Sequence, residues 1–248
     1  MKKLNLVAHR GLAATSPENT LTAMKLALEA GVRFLELDVQ LTKDLVPVLF
    51  HDVDLARMTG KSGRIFDYTV EELKTVSASD RDRFGDSYVN ERIPTLGEFV
   101  DLLRKRKDIK AFVEIKTESV DEFGKQLVTQ KIISELESVK QQCYLISFGY
   151  ELVTFLKATT DYPVGWVLYK FNNEYRQKAE LLQPEFLICN YTKVNEALWD
   201  GRWQWFLYEI TDAKNALHWL EKGVCFQESM NVKKLTDELR QSGVLTHV

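Results

Sequence analysis

What this sequence has little of narrows it first. Three cysteines, Cys143, Cys189 and Cys225, are scattered through 248 residues without C-x-x-C spacing, which excludes a disulfide framework and a thiolate metal cluster. Each lies in an apolar run, so reduced core thiols in a cytoplasmic protein are expected. Positive charge is not in excess: with a net charge of −3, no basic field draws in nucleic acid, and no nucleic-acid partner is expected. No apolar run approaches the ~18 residues needed to span a bilayer, so no transmembrane segment is expected. The opening Met1-Lys2-Lys3 has the charge of a signal n-region, but only Leu4 to Ala8 follow before His9, too few for an h-region. Glycine-rich turns are missing too. After the first apolar run Gly11 stands alone, where a doubly wound nucleotide-binding sheet would want several glycines. With no linker or low-complexity tract to divide it, the chain reads as one domain over residues 1–248, and its oligomeric state stays open.

What is there alternates. A strand through Val7 and His9 leads to a helix that Asn19 or Thr20 can cap and Gly31 stops. Extended runs at 34–40 and 46–51 are too close for a parallel crossover and read as an antiparallel hairpin. Residues 52–94 turn polar, with Thr69 and Glu72 as a capping box for one short helix, and read as an insertion. Thr95 and Glu98 cap the next helix, with Leu96, Phe99, Val100 and Leu103 inward. A strand at 111–116, a helix near 121–138, a strand at 143–148 and a helix near 150–158 follow. Strands at 163–169, 185–191, 204–210 and 224–229 complete the chain, each followed by a helical segment. Nine extended runs result, and setting the hairpin return aside leaves eight strand–helix units in about 250 residues, the rhythm of a (β/α)8 TIM barrel.

Charged residues at strand ends carry the chemistry. Alternation puts Val7 with His9, Glu36 with Asp38, and Glu114 with Lys116 on shared strand faces, and inward-facing sets would gather at the C-terminal mouth. Carboxylates inside a sheet are costly unless paired or bound to a metal. Glu36, Asp38 and Glu114 are the hard oxygen donors that Mg²⁺ or Ca²⁺ prefers. A two-residue turn at Asp44-Leu45 sets Asp38 opposite His51 and brings His51 onto the carboxylate face; a three-residue loop reverses that parity. His9 and His51 suit proton transfer near neutral pH, Arg10 suits bidentate phosphate binding, and Lys116 offers a point charge. The set suits phosphodiester cleavage. His218 and His247 read as ordinary polar residues. Trp199, Trp203, Trp205 and Phe206 lead into the N-terminal end of a strand and read as packing or a subunit contact.

The chain resembles the glycerophosphodiester phosphodiesterase family. The likeness runs through His9-Arg10-Gly11, Pro17-Glu18-Asn19-Thr20, Glu36-Leu37-Asp38-Val39, Thr42-Lys43-Asp44, Phe50-His51-Asp52, Thr59 to Arg64, Asp67-Tyr68-Thr69, Ile93-Pro94-Thr95-Leu96, Glu114-Ile115-Lys116 and Ser147-Phe148. The resemblance implies a TIM barrel with a small inserted subdomain. It also implies hydrolysis of glycerophosphodiesters to sn-glycerol 3-phosphate and an alcohol, with His9 and His51 as acid and base. Glu36, Asp38 and Glu114 would hold one divalent ion, Mg²⁺ or Ca²⁺, with Mn²⁺ also suitable. In the family's usual account the glycerol 2-hydroxyl attacks phosphorus and water opens the cyclic phosphate. Two alternatives accompany this reading: a lysophospholipid or other phosphodiester substrate, and a binding barrel without turnover. The pattern departs at Leu45, where the family has glycine. It departs again at Tyr208-Glu209-Ile210-Thr211 in place of Trp-Thr-Val-Asn, and at Cys225 to Ser229 in place of Asp-Gly-Ile-Ile-Thr-Asp. The late departures fall on the last two strands, away from the named catalytic set. Glu209 and Glu228 are expected to bear on which alcohol leaves, favouring a cationic one.

Overall fold

A computed structural model describes residues 3–243, so Met1, Lys2 and His247 lie outside the described residues. The strands are β1 (Asn5–Ala8), β2 (Phe34–Leu41), β3 (Pro47–Leu49), β4 (Lys110–Ile115), β5 (Cys143–Ser147), β6 (Val164–Leu168), β7 (Phe186–Asn190), β8 (Gln204–Tyr208) and β9 (Phe226–Ser229). All but β3 pair in parallel with their neighbours, and β9 returns to β1, so that eight strands close into a (β/α)8 barrel. β3 lies outside it, antiparallel to β2.

The helices are α1 (Leu21–Glu29), α2 (Ala56–Thr59), α3 (Val70–Leu73), α4 (Arg81–Phe84), α5 (Leu96–Lys105), α6 (Thr117–Phe123), α7 (Lys125–Leu136), α8 (Tyr150–Thr159), α9 (Asn173–Leu182), α10 (Ala213–Glu221) and α11 (Val232–Gln241). Thr20 caps α1 by accepting from the Ala23 amide, and both capping boxes, Thr69 with Glu72 and Thr95 with Glu98, are formed. The helix expected near 121–138 is two helices, because Gly124 takes a φ of +80° that α-helix excludes. β7 is not followed by a full helix. A single 3₁₀ turn, Tyr191–Lys193, leads into a loop in which Trp199 and Trp203 are buried, with Trp199 stacked on Phe171 at 4.2 Å. Trp199 and Trp203 thus pack in the outer core, while Phe206 faces the barrel interior.

Of the two loop lengths weighed for the hairpin, the structure takes the three-residue one. Val39 aligns with Leu49, Gln40 with Val48 and Leu41 with Pro47, so Asp38 falls level with Phe50, not with His51. The loop is three residues, Lys43-Asp44-Leu45, and Leu45 adopts φ +62°, the left-handed position that closes such loops and that glycine usually fills.

Two apolar layers hold the fold. One lies between strands and helices. The other fills the barrel, where Phe112 packs 4.8 Å from Tyr144 and from Phe206 and 5.0 Å from Phe186, with Phe34 and Phe226 beside them. These rings seal the barrel from below and leave only its C-terminal mouth open. The segment after β3 gathers its own small cluster, Leu55, Met58, Ile65, Phe66, Leu73, Ala78 and Ile93, against Val48 and Phe50. Among the described residues no helix is long and apolar enough to cross a membrane.

Candidate active site

The residues from which chemistry is expected meet at that mouth. Alternation sends Val7, Phe112, Ile146, Val167, Ile188 and Phe206 into the barrel, and the charged side chains stand above them. His9, Arg10, Glu36, His51, Glu114, Glu209 and Glu228 line one cavity of about 180 Å³, with Ile146, Phe148, Val167, Ile188, Phe206 and Tyr208 as its apolar wall. Asp38 and Lys116 are buried behind it. A larger groove of about 360 Å³ lies elsewhere, between α1 and α5 on the outer wall, where no strand end reaches.

Local backbone shape aims these groups. Arg10 is held at φ +54°, and Gly11 at +81° passes so close to Ala23 that a Cβ would sit 2.6 Å from its carbonyl carbon. Only glycine fits there, and the tight turn lets the Arg10 amide donate to Glu36 Oε2 at 3.1 Å. Neighbouring register on β2 and β4 sets Asp38 beside Glu114. His51 reaches the mouth by a route other than ladder register: the chain leaves the sheet after Leu49, and the Gln40 amide holds the His51 and Asp52 carbonyls at 3.0 and 2.6 Å.

Electrostatics divides the carboxylates in two. Burial pulls Asp38 upward, but Arg10, whose Nε stands 3.0 Å from Oδ2, together with Lys116 outweighs it and holds the carboxyl well below its usual range. Glu36, Glu114 and Glu228 go the other way. Burial and then the Asp38 charge raise Glu36 and Glu114, although Lys116 donates to Glu114 at 2.9 Å. Burial raises Glu228 too, and its Oε1 has no hydrogen-bond partner among the described residues. Burial, seconded by Arg10, pushes His9 down to about 3, so the ring is neutral with a free lone pair.

Several members of this site lie outside the predicted set, and Asn19, a candidate cap, takes a different part. Asn19 does not cap α1; its side chain clasps Asp38, donating to Oδ2 at 2.9 Å and accepting from the Asp38 amide at 3.1 Å. Glu18 bridges Arg10 at 2.9 Å and Arg57 at 2.6 Å. Asp52 lies 2.7 Å from His51 Nδ1 and 2.6 Å from Arg57 Nε. The one available signal was the run of polar residues in Pro17-Glu18-Asn19-Thr20 and Phe50-His51-Asp52. Glu209 and Glu228 are not remote from the set, as expected of the last two strands, because barrel closure brings β9 against β1. Glu209 Oε1 lies 4.0 Å from His9 Nδ1, and Glu228 shares the cavity with Glu36.

The site can hold a cation. Ligand oxygens of Glu36, Asp38 and Glu114 lie within 4.8 Å of one another, buried and without thiolates, which suits a hard divalent ion. The raised Glu36 and Glu114 carboxyls fit this use, since a bound cation would offset the burial and the Asp38 charge that disfavour their ionised form.

Known proteins with this architecture and sequence pattern agree with one another. A glycerophosphodiester phosphodiesterase from Caldanaerobacter subterraneus subsp. tengcongensis is 44% identical over 117 residues, 47% of this chain and 46% of its own. Glycerophosphodiester phosphodiesterase 1 of Mus musculus is 38% identical over 114 residues, 46% of this chain and 34% of its own. The match thus spans about half or less of these curated relatives. An Oleispira antarctica phosphodiesterase, solved in complex with its product sn-glycerol 3-phosphate, superposes with a TM-score of 0.82 at 24% identity over 95% of this chain and 96% of its own. A glycerophosphodiester phosphodiesterase from Thermotoga maritima does so with 0.72 at 22% identity over 94% and 97%. At those identities the likeness is one of fold. The pattern of the glycerophosphoryl diester phosphodiesterase family matches residues 9–248, and the chain belongs to that family.

Proposed function

We propose that this protein hydrolyses glycerophosphodiesters to sn-glycerol 3-phosphate and an alcohol, as one domain over residues 1–248 that includes the insertion 52–94. The observation that carries the reading is the meeting of two imidazoles, two cations and three buried carboxylates over one small cavity. In this reading Glu36, Asp38 and Glu114 hold one divalent ion, Mg²⁺, Ca²⁺ or Mn²⁺. When bound, the ion supplies Lewis acidity toward a phosphoryl oxygen. Arg10, on the cavity wall, binds and orients the phosphodiester, and Lys116 offers a point charge from behind it, offsetting what develops on the oxygens. His9 and His51 serve as acid and base, one taking the proton from the attacking oxygen and the other delivering a proton to the leaving alcohol, with Asp52 at His51 Nδ1. Glu209 and Glu228 form the part of the wall that favours a cationic alcohol. A cytoplasmic setting belongs to the proposal and rests on the three free thiols.

The test is release of glycerol 3-phosphate from glycerophosphocholine, glycerophosphoethanolamine, glycerophosphoglycerol and lysophosphatidylcholine, with and without Mg²⁺ or Ca²⁺. Metal-dependent release from the deacylated substrates is expected. Release from the lysophospholipid alone would move the assignment to lipid, and no release from any would leave a binding barrel.

A further inference from the structure

The mouth holds a second group of cation donors with a different chemistry. A ring nitrogen of His9 and one carboxylate oxygen each from Glu36 and Glu228 lie within 4.8 Å of one another. Two orphaned atoms mark this corner: His9 Nδ1 and Glu228 Oε1 are both buried without a hydrogen-bond partner among the described residues. Glu228 is only 4% exposed and, among the described residues, has no lysine or arginine in salt-bridge contact, whereas Asp38 and Glu114 are paired with Arg10 and Lys116. A buried carboxylate left in that condition is costly unless a proton or cation joins it.

Charge points the same way. Glu36, Asp38, Glu114, Glu209 and Glu228 face Arg10 and Lys116 across the mouth, while Arg57 is occupied by Glu18 and Asp52. One divalent ion and one phosphodiester monoanion together still leave the carboxylates in excess. Donor type separates the two groups. Glu36, Asp38 and Glu114 offer oxygen alone, the preference of Mg²⁺ and Ca²⁺, whereas imidazole with two carboxylates suits a borderline ion bound at about 2.0–2.2 Å.

We propose that His9, Glu36 and Glu228 form a second cation site, selective for Zn²⁺-like ions over Mg²⁺ and Ca²⁺, and that filling it inhibits by taking the His9 lone pair out of proton transfer. The inhibitory half rests on the role given to His9 above; the binding half does not. Glu36 belongs to both groups, so the second ion also perturbs the first.

Zn²⁺ is titrated by calorimetry in millimolar Mg²⁺ into the full chain and into Glu228→Gln, His9→Gln and Glu114→Gln, each checked for fold by circular dichroism. One Zn²⁺ is expected to bind the parent chain. Its affinity should fall at least about tenfold in Glu228→Gln and His9→Gln, and by less than about threefold in Glu114→Gln, which lies outside the triad. Zinc-edge absorption on the parent chain should show imidazole nitrogen in the first shell, a readout that survives even if a variant misfolds. Absence of Zn²⁺ binding, equal affinity in Glu228→Gln, an equal loss in Glu114→Gln, or a shell without imidazole each overturns the site. Zn²⁺ bound as expected with no phosphodiesterase activity under Mg²⁺ would instead overturn the function and leave the site standing.

Discussion

The two halves of the barrel contribute unlike things to its mouth. From β1 to β4 come His9, Arg10, Glu36, Asp38, His51, Glu114 and Lys116, tied by ion pairs and by the amide clasps of Asn19 and Gln40. From β5 to β9 come Ile146, Phe148, Val167, Ile188, Phe206 and Tyr208, an apolar wall broken by Glu209 and Glu228. In the proposed reaction the first half makes and moves charge, and the second shapes and dries the space in which that charge acts. A low-dielectric wall facing a polar cluster strengthens every interaction across the gap. The division predicts that damage to the first half abolishes turnover and damage to the second redirects it.

The largest effects should therefore follow from the first half. His9→Ala or His51→Ala should lower kcat by something like ~10²–10⁴-fold, with the circular dichroism spectrum unchanged. Removal of divalent ions should abolish activity and re-addition of Mg²⁺, Ca²⁺ or Mn²⁺ restore it, since three clustered carboxylates repel without a cation. Full turnover in a sample shown metal-free by elemental analysis would falsify the oxygen-donor site. A smaller loss is expected one step back from the chemistry. Asp52→Asn removes the carboxylate that holds His51 Nδ1 and Arg57, so kcat should drop by roughly 10–100-fold with KM nearly unchanged. An equal loss in Arg57→Met would assign the effect to the network as a whole.

How much of this was legible in the sequence follows from the range of each interaction. Strand count and the capping boxes of α3 and α5 are set within a few residues, and Thr69-Glu72 and Thr95-Glu98 are as expected. The carboxylates stood out because Glu36, Asp38 and Glu114 interrupt apolar strands, where charge needs a reason. The hairpin's loop length is a step that spacing leaves open, and one residue more inverts parity; Leu45 occupies the position whose usual signal is glycine. The clasp of Asn19 on Asp38 and the chain Glu18–Arg57–Asp52–His51 join residues through side-chain geometry that no spacing rule encodes. Most instructive is Glu228. Its nearness to His9 and Glu36 exists only because the last strand closes on the first, a contact between opposite ends of the chain.

The second half supplies the next test in order of size. If Glu209 and Glu228 favour a cationic alcohol, Glu209→Gln and Glu228→Gln should shift the ratio of kcat/KM between glycerophosphocholine and glycerophosphoglycerol by a few-fold up to roughly tenfold, about 1.4 kcal/mol of discrimination. Glu209 is the more exposed at 40% and should give the smaller, more salt-sensitive shift. An unchanged ratio in both would remove these residues from specificity and leave the apolar wall to choose the alcohol.

The smallest effect separates a departure that touches the site from one that does not. Leu45 lies in the charged half, yet it stands at the far end of the hairpin, where its side chain is half-buried against the outer core and its backbone keeps a left-handed φ of +62°. A branched side chain in that conformation costs about 1–2 kcal/mol from the clash of Cβ with its own carbonyl. Leu45→Ala removes the packing and keeps the clash; Leu45→Gly removes both. Glycine should therefore be the more stable replacement by about 1 kcal/mol, the reverse of the usual helix or strand ranking, which for a chain of this size is a melting temperature higher by roughly 2–4 °C. Activity should be the same in both variants, because the loop hands on only the direction of β3, which the ladder to β2 already fixes. If alanine is the more stable of the two, the loop does not hold its left-handed residue in solution, and His51 reaches the mouth from a hairpin of different register.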